Sequence, residues 1–137
     1  MSARTKARKR ALDILFSADV RQISLVEALD AEATRAASEP ARTASWLYAR
    51  EIVDGVIDHH EKIDETIATY ARGWTLERMP AVDRALIRIA VWEILFNPDV
   101  PAAVAVDEAV EAAKILSTEE SAGFVNGLLA TIASTAS

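Results

Sequence analysis

The stretch from Met79 to Phe96, MPAVDRALIRIAVWEILF, decides the fold. Pro80 suits the first turn of a helix, where its missing N–H is no loss. No glycine or second proline follows until Pro98. Apolar residues stand at Val82, Ala85, Leu86, Ile87, Ile89, Ala90, Val91, Trp92, Ile94, Leu95 and Phe96. They are too many for one stripe, and a helix apolar almost all round belongs in the middle of a larger protein. About sixteen residues span roughly 24 Å, enough to cross a small domain. The run is too short and too charged to cross a membrane. Its exceptions are Asp83, Arg84, Arg88 and Glu93. Arg84 and Arg88 lie one turn apart, share a face and repel unless acids or an anion offset them. Two readings follow: structural ion pairs, or a rim of charge facing a ligand or partner.

Around that helix the 137-residue chain reads as one all-α domain, residues 1–137, of six or seven helices in two packed halves. The first half runs to about residue 73 and the second from 74 to 134. The length suffices for a core without staples. Gly is scarce and Ala, Leu, Ile, Val, Glu and Arg dominate, which favours helix. There is no cysteine, so no disulfide framework and no thiolate metal site. No apolar run reaches membrane-spanning length, and the N-terminus lacks a signal peptide's apolar segment. A soluble cytoplasmic protein is expected.

Residues 3–20 read as a first helix, with Ala11, Ile14, Leu15 and Ala18 at helical spacing. Ser24 caps a second, to about Ala37. A third segment runs from about Ala41 to Arg72. Its stripe is Trp46, Ala49, Val53, Val56, His60, Ile63, Ile67 and Tyr70, as one long helix or two with a bend near Gly55. His60 falls on that stripe as a histidine at the core boundary. Gly73 ends the segment as a left-handed cap. After the breaker Asn97 to Pro101, a helix covers about Ala102 to Leu116. Ser117 with Glu120 forms a capping box for the last helix. Gly127 inside that helix costs up to about 1 kcal/mol against Ala, so close helix contact is its expected reason.

Net charge is −6, yet its distribution is uneven. Residues 1–10 hold Arg4, Lys6, Arg8, Lys9 and Arg10 and no acid. The rest holds ten basic and twenty-one acidic side chains, a balance of −11 against +5. A basic head on an acidic body is the pattern of a short arm that meets phosphate. The basic residues sit in the first turns of a helix, where the dipole disfavours them. No glycine-rich phosphate loop, HExxH motif or serine with a base and orienter appears, so an enzyme reading has no support. No cofactor and no metal are expected.

Three blocks resemble the NusB family of transcription antitermination factors. They are ARKRALDILF (7–16), WTLERMPAVDRALIRIAVWEIL (74–95) and VPAAVAVDEAVEAAKILSTEESAGFVNGLL (100–129). The resemblance implies an all-α fold of two helical halves. It implies binding of boxA leader RNA jointly with the ribosomal small-subunit protein NusE. It also implies entry into RNA polymerase antitermination complexes, notably on ribosomal RNA operons. By resemblance Arg4, Lys6 and Arg8 match the RNA-contacting basic helix. Thr5 falls where a further basic residue is common, with Lys9 and Arg10 as compensation. Phe16 matches the aromatic position used against NusE. Asp83 matches an acid at the junction of RNA and NusE. Phe124 matches an aromatic residue close to the RNA, and Glu120 the acid beside it. Gly123 stands where some members have a lysine.

Two other readings stay open. The same helical domain occurs, by resemblance, before the catalytic domain of ribosomal RNA cytosine methyltransferases; the stop at Ser137 and the missing cofactor loop count against it. A protein-only helical adapter is the other. A homodimer through the surface that would meet RNA and NusE is also open.

Overall fold

The computed structural model describes residues 2–136. Seven α-helices form among them: α1 Ala3–Arg21, α2 Leu25–Ala36, α3 Thr43–Asp58, α4 His60–Tyr70, α5 Ala81–Phe96, α6 Ala102–Leu116 and α7 Glu119–Ala136. No strand occurs among the described residues. Helix α5 packs against α1, α3, α4, α6 and α7. Its Ile87 and Val91 are fully buried, as the all-round apolar pattern requires.

Arg84 and Arg88 serve as structural ion pairs. The Arg84 guanidinium pairs with Asp19 near the end of α1. It also donates to the carbonyls of Leu76 at 2.7 Å and Met79 at 3.1 Å, which ties down the turn before α5. Arg88 donates to both oxygens of Asp64, at 2.9 and 3.1 Å. Each arginine on this central helix thus finds an acid on a neighbour rather than a free rim.

Four local expectations need correction. The long third segment breaks at His59 (φ −116, ψ 21), not at Gly55. Gly55 serves packing instead: a Cβ there would fall 1.9 Å from the Trp92 indole Nε1, so only glycine lets α3 approach α5 this closely. The break also resets the helical phase. His60 opens α4 on the exposed side, with Nε2 3.1 Å from Asp64, while Ile63 and Ile67 keep the core. Ser117 ends α6, and Thr118 caps α7 by accepting from the Ser121 N–H at 3.0 Å; Glu120 closes no box. Gly127 is exposed, and nothing lies within 4 Å of a Cβ built on it, so close helix contact is not its reason. The Ser24 side chain caps α2 as read, accepting from the Glu27 N–H. Gly73 is left-handed (φ +84), but α4 already ends at Tyr70 and Arg72 (φ 39) is the first left-handed residue after it.

Candidate nucleic-acid and protein interface

Helices α1 and α5 run antiparallel, because Arg8 reaches Glu93 while Asp19 reaches Arg84. The basic head therefore lies at the C-terminal end of α5, and Phe16 lies near its N-terminal end. The two ends of α1 present different chemistry.

At the first end the basic run divides. Arg8 turns inward, and its Nε lies 3.0 and 3.1 Å from the two oxygens of Glu93. Its Nη1 sits 3.2 Å from Glu108. Glu93 is fully buried and also accepts a short hydrogen bond from the Tyr48 hydroxyl. Asn97 Nδ2 donates to that hydroxyl oxygen at 3.1 Å. Burial works against the Arg8 charge, but the Glu93 hydrogen bond and the charges of Glu93 and Glu108 outweigh it and raise the guanidinium pKa. Burial, then the same carboxylate, pushes the Tyr48 phenol well above its ordinary range. Arg10 is buried as well. It donates to the Arg42 carbonyl and Ser45 Oγ, both at 3.2 Å, and approaches Glu32 at 3.6 Å. Arg8 and Arg10 are therefore withdrawn from the free basic surface, because buried charge demands partners. Thr5 donates to Glu108 at 2.8 Å.

What remains exposed is Arg4, Lys6 and Lys9. Lys9 pairs with Asp13 at 2.7 Å. Arg4 lies 4.9 Å from the Tyr48 ring centroid and has no carboxylate partner among the described residues, and neither has Lys6. These cations are available to phosphate.

At the other end Phe16 is 38% exposed, an aromatic edge outside the core. Asp83 is 2% exposed, and its Oδ1 has no hydrogen-bond partner. Back toward the basic head, Leu12 joins Leu86, Ile89, Ala109, Ile115 and Leu116 around a cavity of about 220 Å³ between α1, α5 and α6, with Arg8 and Glu93 also on its wall. Ile115, on its rim, is highly exposed. Phe124 on α7 is half-buried against Trp74, with ring centroids 5.9 Å apart. Glu120 is exposed one turn before it. The structure thus assembles Phe124 with Trp74, which the sequence reading passed over; an exposed tryptophan beside a glycine turn was the available signal. Tyr48, Asn97 and Glu108 were missed too. A glutamate inside an apolar helix signals that such donors must exist.

The NusB family profile matches residues 5–134. The chain belongs to the NusB family. A NusB transcription antitermination protein from Leifsonia xyli subsp. xyli is 77% identical over 133 residues, spanning 97% of this chain and 92% of the relative. One from Clavibacter sepedonicus is 62% identical, spanning 97% of each. Among solved structures, T. maritima NusB superposes with a TM-score of 0.81 at 34% identity, over 96% of this chain and 90% of that one. NusB from a crystal structure of antitermination factors NusB and NusE with double-stranded RNA superposes at 0.83 and 27% identity, over 98% of both. These NusB matches cover nearly whole proteins and are transcription antitermination factors, not methyltransferases.

Proposed function

We propose that this chain binds boxA leader RNA together with NusE in the cytoplasm and brings both into RNA polymerase antitermination complexes, notably on ribosomal RNA operons. The observation that carries the reading is the separation along the α1–α5 pair. Unpaired cations, Arg4 and Lys6, stand at one end. An exposed aromatic, Phe16, and a buried carboxylate with one oxygen lacking a donor, Asp83, stand at the other. Cations without acids neutralise phosphates and release counterions. A buried carboxylate without a donor is costly unless a partner supplies one. The likeness to a NusB solved with NusE and RNA supports the same reading. Lys9 extends the basic end, and Glu120 with Phe124 offers an acceptor and a ring to bases. Arg8 and Arg10 act behind this surface, by holding α1 in place.

The test joins a salt series to calorimetry. Replacing Arg4 and Lys6 by Ala should leave the melting curve unchanged. It should lower the slope of log affinity against log salt by about 1.4, from roughly 0.7 per phosphate contact on single strands. Phe16→Ala should keep affinity for RNA alone within about threefold and weaken NusE binding by at least about 1 kcal/mol. An unchanged salt slope removes the basic end from the site. Full-strength NusE binding by a folded Phe16→Ala chain removes the other end.

A further inference from the structure

Trp74 stands out among the three tryptophans. Trp46 and Trp92 are buried, whereas Trp74 is 51% exposed. Its place follows from the backbone before it. Arg72 (φ 39) and Gly73 (φ 84) take left-handed conformations in succession and turn the chain out of α4. The turn after it is tied down by the bonds from Arg84 to the Leu76 and Met79 carbonyls. Two groups then hold the indole. The Arg78 guanidinium lies 5.7 Å from its ring centroid. Phe124 meets it at 5.9 Å, tilted by 54°. Arg72 and Arg78 are both exposed, and neither has a carboxylate partner among the described residues. On the neighbouring helix, Gly123 and Gly127 carry no side chain and have open space at the Cβ position, so a ligand backbone meets little obstruction there.

We propose that Trp74, set beside Arg78 and Phe124 with half its surface open, is a stacking platform for an unpaired base of the bound RNA, with Arg72 and Arg78 contacting the flanking phosphates. The proposal rests on the RNA-binding reading above and extends the base contact given there to Phe124 onto Trp74 and its two arginines. Aromatic rings interleaved with unpaired arginines are the chemistry that single-stranded nucleic acid recognises: the ring takes a base face, and the cations take the backbone. A protein partner would also accept tryptophan and arginine, but two uncompensated cations around one ring favour a polyanion. The platform lies at the Arg84 end of the α1–α5 pair. The thirteen helical steps of α1 from Lys6 to Asp19 correspond to roughly 20 Å. At about 3.4 Å per nucleotide of a stacked strand, that separation is about six nucleotides. An RNA somewhat longer than that spans α1 from the head to the end at which the platform lies.

The probe is a single-stranded boxA RNA of about twelve nucleotides, twice that span, titrated into the full chain while tryptophan fluorescence is followed. Single-stranded RNA should quench the emission, and Trp74→Phe should abolish the quench, because the other two tryptophans are buried. Trp74→Ala should weaken RNA affinity by about five- to 150-fold, the range expected for one stacked base. Trp74→Phe should recover most of that loss, since a phenyl ring still stacks. A duplex of the same sequence should not quench, because it offers no free base face. Equal quenching by duplex overturns stacking. Unchanged RNA affinity in Trp74→Ala, with no quench in the wild type, overturns the platform. If RNA binding holds while NusE binding falls, the patch belongs to a protein and the proposal is wrong. If Trp74→Ala melts far below wild type, the wild-type quench alone decides. A wild type that binds no RNA refutes the broader function, a result distinct from a wild type that binds without using Trp74.

Discussion

Helix α5 carries two buried carboxylates with opposite surroundings. Glu93, near its C-terminal end, is wholly buried and has three groups from α1 and α3 around it: two Arg8 nitrogens and the Tyr48 hydroxyl. Asp83, in its first turn, is 2% exposed and has an oxygen with no donor. Both acids interrupt the same apolar helix. The satisfied one acts as a fastener that fixes the basic helix on the core. The unsatisfied one costs stability in the free chain, with only the helix dipole in partial offset. A group kept at such a cost is best explained by a donor that arrives with a partner.

The largest effect should come from the satisfied end. Arg8→Ala leaves Glu93 charged and uncompensated in the interior, a loss of about 3–5 kcal/mol. Chemical denaturation measures it; a loss below about 1 kcal/mol would mean that the acid is not held as an ion pair. Tyr48→Phe is next. It leaves a Glu93 oxygen and the Asn97 amide short of a partner, for about 1–3 kcal/mol.

The same tyrosine predicts a pH effect. Its folded pKa is raised, so the folded chain keeps the proton while the unfolded phenol ionises near about 10. Its contribution is complete below that unfolded value and is lost as pH rises toward the folded one. Of the two tyrosines, Tyr48 should develop phenolate absorbance only on unfolding, and the stability of Tyr48→Phe should fall less steeply above pH ~10 than that of wild type. Early ionisation of both tyrosines in the folded chain would contradict the network.

The unsatisfied end should behave in the opposite way. Asp83→Asn removes a buried charge but also a helix-dipole interaction of about 0.3–1 kcal/mol, so stability should shift by less than ~1 kcal/mol. NusE affinity should fall by at least about 1 kcal/mol. A large drop in the melting midpoint, with binding intact, would make Asp83 a second fastener and erase the contrast. The smallest effect lies away from both acids. Gly127→Ala should stabilise α7 by about 0.5–1 kcal/mol, because the glycine sits mid-helix with open space above it. A destabilised variant would show a contact on that face.

Much of the fold was legible because its signals are local. The bounds of α1, α2, α5 and α6 follow from apolar periodicity and from Ser24, Pro80 and the Asn97 to Pro101 breaker. The errors have two causes. The cap at Thr118 and the break at His59, which moves His60 off the core stripe, are shifts of a few residues within a local signal, whereas the surroundings of Gly55 and Gly127 are set by how the helices pack. At the site, Phe16 at an exposed edge and the basic head were visible, while the platform at Trp74 depends on Phe124, fifty residues later.

By itself the sequence determined helix, class and family, since spacing, caps and breakers act within a few residues and the three motif blocks are contiguous. It also determined that the charge is split between a basic head and an acidic body. Only the tertiary structure decided which charges are free. Arg4, Lys6, Arg8 and Arg10 are alike in charge, but Arg8 finds Glu93 85 residues away and Arg10 finds Ser45 35 residues away. Burial makes a charge dependent on its partners. Partners at that separation are set by helix packing, which no local pattern contains.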